Sequence, residues 1–127
     1  MPDRETLIQH IDDLPRSSPP AHSGTVNRLL VEREFGAGFE MVLGHVAPGG
    51  EASRHYHRTE TQIVYILKGE ADVALGDAAP RRCGPSTVIR IPPGLVHEVV
   101  TIGEATLECI VLYAPPLGPD GFVEVPR

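Results

Sequence analysis

Thirteen glycines and thirteen prolines divide this 127-residue chain into short β-branched runs. Proline removes a backbone donor and glycine supplies turn conformations, so a chain punctuated this often has little room for long helices. The runs at 26–32, 39–47, 62–67, 71–75, 87–91, 97–101 and 105–113 read as strands. Turn signals fall between them at 35–38, 48–50, 68–70, 76–77, 92–94 and 102–104. Residues 6–14 allow a short helix or a strand, before Pro15, Pro19 and Pro20 break regular structure. Ile63 to Leu67 and Cys109 to Tyr113 are apolar without interruption, which predicts burial on both faces. The expectation is an all-β chain, with a small barrel favoured over a sandwich.

The length suits one domain able to bury its own core. Residues 1–24 read as a peripheral segment, 25–116 as the barrel, and 117–127 as a C-terminal tail on the outside. Net charge is −6 and the basic residues are scattered apart from Arg81-Arg82. That distribution leaves no electrostatic footprint for nucleic acid. The N-terminus lacks a basic stretch followed by an apolar run, and no apolar stretch is long enough to span a bilayer. A cytoplasmic protein with no membrane partner is the expectation. Cys83 and Cys109 are too few for a disulfide framework and sit in no paired metal-binding spacing, so reduced thiols are expected.

The chemistry-bearing residues concentrate in two places. His55 and His57 are two apart, so on a strand both rings face one side. Gln62 follows after enough chain to turn into the next strand. His97 comes directly after the rigid Pro92-Pro93-Gly94 turn. Three neutral imidazoles and one oxygen donor suit a single divalent transition ion: Fe, Mn, Ni, Zn, Co or Cu. Four protein ligands leave coordination positions open for a small molecule.

These residues carry a family resemblance. The chain resembles the small single-domain cupins over roughly residues 39–116. The first cupin motif, G-x5-H-x-H-x(3,4)-E-x6-G, is matched by Gly49, His55, His57 and Gly69, with Gln62 in the glutamate slot. The second, G-x5-P-x-G-x2-H-x3-N, is matched by Pro92, Gly94 and His97, with Ser86 and Thr101 replacing its first glycine and its asparagine. The resemblance implies a double-stranded β-helix barrel of jelly-roll type, metal held by His55, His57, Gln62 and His97, and a homodimer paired through an outer sheet face. Glu60, two residues before Gln62, is the alternative carboxylate ligand if the register shifts.

His45 lies on the strand before the first motif and is a candidate acid or base beside the metal, with a half-buried structural histidine as the competing reading. Arg54, Tyr56 and Arg58 alternate with the histidine pair and should point away from it. Arg90 is expected in an outer salt bridge. His10 and His22 are expected to face solvent. Glu108 and Cys109 occupy opposite faces of one strand, and either could look inward. The apolar candidates for the pocket lining fit a small organic substrate. The resemblance makes a metal-dependent dioxygenase the leading expectation. Isomerase, lyase or cyclase chemistry on a sugar or polyketide-like molecule is the alternative, and a non-catalytic binding module the third.

Overall fold

The computed structural model describes residues 3–19 and 21–126; Pro20, one of the expected chain breakers, lies outside them. Ten strands follow one another: β1 (Arg16–Ser17), β2 (His22–Val31), β3 (Glu40–His57), β4 (Thr61–Lys68), β5 (Glu70–Leu75), β6 (Arg81–Cys83), β7 (Val88–Ile91), β8 (His97–Ile102), β9 (Leu107–Ala114) and β10 (Phe122–Glu124). Helical structure among the described residues is confined to three-residue 3-10 turns, Arg4–Thr6, Ile11–Asp13 and Arg33–Phe35. The 6–14 segment therefore forms neither a regular helix nor a strand. No helix among the described residues is long and apolar enough to cross a membrane.

The all-β expectation holds, and β3 organises it. Its 18 residues run straight through the Pro48-Gly49-Gly50 signal read above as a turn. The first half of β3 pairs with β2 and β9, and the second half with β8 and β10. The strands thus form one curled sheet, β6-β5-β8-β3-β9-β4-β7, with β1-β2 and β10 attached at β3. Because β3 belongs to both halves, the two layers face each other across a shared core, as a double-stranded β-helix requires.

Between Ala52 and His55 the partners on β8 advance only from Val99 to His97. One extra residue on β3 is therefore a bulge, and it inverts which face each side chain takes. Before it the even residues Val42, Gly44 and Val46 are buried; after it the odd residues His55 and His57 are.

The core is built from Val64, Ile66, Val73, Ile89, Ile91 and Leu107, with Ile66 and Ile91 each 1% exposed. Strand β4 alternates rather than being covered on both faces: Gln62, Val64 and Ile66 are buried, while Tyr65 and Leu67 are 41% and 38% exposed. The apolar run therefore supplies a core face and a partly exposed apolar outer face.

Gly69, between β4 and β5, is required twice over. Its φ is +83°, and a Cβ there would lie 2.6 Å from the Thr106 carbonyl oxygen and 2.9 Å from Leu107 Cα. Both obstacles are backbone and cannot rotate aside. Gly69→Ala is expected to destabilise the fold by about 2 kcal/mol or more, read as a lower urea midpoint at unchanged m-value. An unshifted midpoint would show that the turn has another conformation open to it.

Candidate metal centre

The His55, His57 and His97 rings converge where the second half of β3 crosses β8. Each is 2% exposed, and one ring nitrogen from each lies within 4.8 Å of the others. Three nitrogens that share one ion at about 2.1 Å sit about 3–3.6 Å apart, so the rings need to draw together by about an ångström or more to hold one.

The backbone fixes which nitrogen is offered. His55 Nδ1 meets the Ser53 carbonyl at 2.6 Å, His57 Nδ1 the Gly121 carbonyl at 3.0 Å, and His97 Nδ1 the Leu95 carbonyl at 2.9 Å. A carbonyl only accepts, so each Nδ1 donates, and in the neutral ring Nε2 carries the lone pair. This is how ligating histidines are held ready for a cation. The Pro92-Pro93-Gly94 turn sets the His97 arm, because Gly94 N donates to the His57 carbonyl at 2.7 Å and Leu95 follows directly.

Two observations test whether a cation fits. His97 Nε2 is buried and finds no hydrogen-bond partner among the described residues. His57 Nε2 stands 3.1 Å from Gln62 Oε1. With Nδ1 committed to Gly121, both facing atoms are lone-pair carriers, and a shared positive ion turns that approach from repulsive to favourable. The Gln62 amide nitrogen donates the other way, to the Tyr113 hydroxyl at 3.5 Å. The donor set fits a divalent transition ion.

Electrostatics agree with neutral rings. Burial, reinforced by His97 and opposed by the Ser53 carbonyl, lowers the His55 pKa from 6.5 to about 3. Burial also lowers that of His97 to about 4, against the pull of the Leu95 carbonyl. Phe122 stacks on His55 at 4.2 Å between ring centroids, and Tyr113 meets His57 edge-on at 5.2 Å, so aromatic walls keep the rings dry.

Glu60 is placed elsewhere. It is 3% exposed, but its carboxylate accepts from Gly118 N at 3.0 Å and Thr59 N at 3.1 Å. Burial alone would raise its pKa; the Gly118 and Thr59 N–H groups outweigh burial and hold it below 4.5. Glu60 therefore ties down the chain that carries Gly121 and Phe122, and Gln62 is the oxygen that reaches His57.

His45 does not reach the interior. The bulge puts it out of phase with His55 and His57, so it faces outward with its side chain 40% exposed, 3.8 Å from Glu108 Oε2. Glu108 is accordingly the outward residue of its pair, and Cys109 lines the cavity, where burial pushes its thiol up to about 11. Cys83 and Cys109 are both free and buried. Arg90 is exposed and makes no ion pair among the described residues.

Several residues here were not picked out from the sequence. The tail expected on the outside does not stay there over 121–124: β10 pairs with His55 to His57, and Gly121 and Phe122 hold two of the three rings. His22, expected to face solvent, lines the cavity with its ring 5.8 Å from that of His55. Tyr113 and Asn27 line it as well. The cavity is about 70 Å³, and its remaining walls are largely apolar, among them Val64, Val99 and Val111. Ligand pockets usually run to about 300–1,000 Å³, so this interior admits the reacting end of a molecule and leaves the rest at the mouth.

The family profile Cupin_2, the cupin domain, matches residues 42–113. The chain is 31% identical over 99 residues to "Polyketide synthase CurC" of Streptomyces cyaneus, covering 76% of this chain and 62% of that protein. It thus spans under two thirds of the length of that curated relative. Among solved structures, the polyketide cyclase RemF of Streptomyces resistomycificus is 26% identical, with a TM-score of 0.78 over all of this chain and 87% of that one. An uncharacterised double-stranded β-helix protein of Klebsiella pneumoniae is 22% identical, with a TM-score of 0.73 over 94% of this chain and 97% of that one.

Proposed function

The chain belongs to the cupin-domain family Cupin_2, and from that premise we propose that it is a metal-dependent cyclase acting on a small, polyketide-like polycarbonyl molecule. The convergence of His55, His57, His97 and Gln62 Oε1 beside the cavity carries this reading. These four residues are assigned as the ligands of one divalent transition ion. Such an ion, when bound, supplies a Lewis acid for a substrate carbonyl or enol oxygen.

The chain's own groups handle the proton and the solvent. Ring closure of a polycarbonyl removes a proton from carbon between two carbonyls, joins that carbon to a second carbonyl carbon of the same molecule, and returns a proton to the resulting oxygen; that hydroxyl then leaves with a neighbouring C–H proton as one water, forming a C=C bond. His22, on the cavity wall, is placed to take a proton. Tyr113 stays protonated because burial, with Glu40 and Cys109 nearby, pushes its pKa up; its hydroxyl is placed to donate. The apolar walls exclude water from the carbanion. No oxidant enters this balance, and the two named relatives are polyketide proteins. Cyclisation is therefore placed ahead of the dioxygenase chemistry expected from the sequence.

We assign the active form to a cytoplasmic homodimer. Reduced, buried Cys83 and Cys109 suit that compartment. The outer face of β2-β3-β9-β4-β7 presents Val26, Tyr65, Leu67 and Val88, each 38–41% exposed, as the surface a second copy would cover.

Protein purified without a histidine tag is expected to hold one transition ion per chain by elemental analysis. It should convert a linear poly-β-ketone to a product lighter by one water, with no dioxygen uptake. Oxygen consumption coupled to turnover would replace the cyclase with a dioxygenase. Metal binding with no turnover across such substrates would leave a binding module.

A further inference from the structure

We infer that the acidic N-terminal segment of one copy docks in an arginine-rimmed groove of a second copy. This rests on the homodimer proposed above and adds a specific, charge-selected contact to it.

The groove lies where the curled sheet fails to close. Strands β6 and β7 are its two ends, and both line a cavity of about 430 Å³ floored by Val73, Leu75 and Ile89. Arg81, Arg82 and Arg90 stand around it, all exposed. Arg82 approaches Glu70 only to 4.0 Å, and Arg81 and Arg90 form no ion pair among the described residues. Open strand edges beside three exposed guanidiniums, of which only Arg82 has a carboxylate within 4.0 Å, over an apolar floor and on a chain of net charge −6, form a surface that selects an acidic, partly apolar partner segment.

The chain carries such a segment. Asp3, Glu5, Asp12 and Asp13 are exposed, and between them Leu7 and Ile8 are 50% and 90% exposed. Ile8 is the most exposed large apolar side chain described, and no part of its own chain covers it.

Placement brings the two surfaces together between copies. Arg28, on the outer face of β2, holds the Ile11 and Leu14 carbonyls at 3.2 and 2.8 Å, so the segment leaves the sheet at the β1–β2 edge. The groove lies at the β7 edge of the same layer, β1-β2-β3-β9-β4-β7. Stacking two copies on this face about a twofold axis parallel to the strands sets each β2 edge over the other's β7 edge. Both contacts then form at once, as a closed dimer requires.

The test is sedimentation of the full chain and two charge-reversed variants, Arg81→Glu/Arg82→Glu and Glu5→Lys/Asp13→Lys. Each variant alone is expected to self-associate at least about tenfold more weakly than the wild type. An equimolar mixture should recover the dimer, because each mixed pair joins the reversed groove to the reversed segment and the native groove to the native segment. All four positions are exposed, so the circular dichroism spectrum and metal content should stay at wild-type values. Variants that dimerise like the wild type, or a mixture that stays monomeric, would overturn the docking and leave the homodimer standing. Association lost at high salt only, without recovery on mixing, would reduce it to unspecific charge attraction and also overturn it. A wild type that is monomeric throughout would remove both, with the metal site judged separately by its ion content.

Discussion

His57→Ala is expected to take bound metal from one ion per chain to almost none. His57 joins the two halves of the donor set: its ring lies 5.0 Å from that of His55, and its Nε2 is the atom that Gln62 faces. Loss of an outer partner of a ligating histidine alone weakens metal binding by about 10–100-fold, so loss of the ligand itself should exceed about 100-fold. Two variants calibrate the result. Gln62→Glu adds a negative charge at the same distance and should tighten binding. His45→Ala, on the outer face, should leave it unchanged. The measurement is ion content after dialysis, with circular dichroism to confirm the fold. A folded His57→Ala protein that retains a full equivalent of metal would remove the site and the chemistry assigned to it. If His45→Ala were the variant that lost metal, the orientation of β3 would be wrong.

The comparison between His45 and His57 also marks the limit of what the sequence discloses. All three of His45, His55 and His57 are odd-numbered on one strand, so a regular period of two puts them on one face. The extra residue before His55 breaks that count, and no sequence feature read above announces it. The local geometry of the candidate ligands was legible because it depends on short spacing: one residue between His55 and His57, and a proline-fixed turn before His97. Gln62 was legible for the same reason, and Glu60 was separated from it only by the long-range bonds from Thr59 and Gly118. What escaped is non-local. Three-residue β10 has too little length to show a period, yet it supplies the Phe122 ring and follows the Gly121 carbonyl that orient the histidines. His22 begins a ten-residue strand that the cluster of prolines before it disguises as a loop. The apolar runs misled in a different way: composition signals burial, but only register decides which half of a run meets the core and which half is left to a second surface.

Acid should unfold the metal-free protein well before its carboxylates titrate. In the unfolded chain His55 and His97 ionise near 6.5; in the folded one burial lowers them to about 3 and about 4. Between 6.5 and 4 the unfolded state binds two protons that the native state refuses, so stability falls as pH falls. The slope approaches about 1.4 kcal/mol per pH unit for each ring. From pH 6.5 to 4.5 the loss reaches about 5 kcal/mol, comparable with the whole stability of a small domain. Above 6.5 both states hold neutral rings and this contribution is flat. Glu60 acts in the same direction but later, because its depressed pKa confines the loss to below 4.5. The measurement is urea unfolding of chelator-treated protein from pH 8 to 4.5. His97→Ala should roughly halve the slope in the interval where both rings act. Added zinc should steepen the fall, because every proton that a ring takes up must displace the ion. Stability constant from pH 8 to 4.5 would mean that the His55 and His97 rings reach water in the native state, and rings open to water would not be held neutral in readiness for a cation.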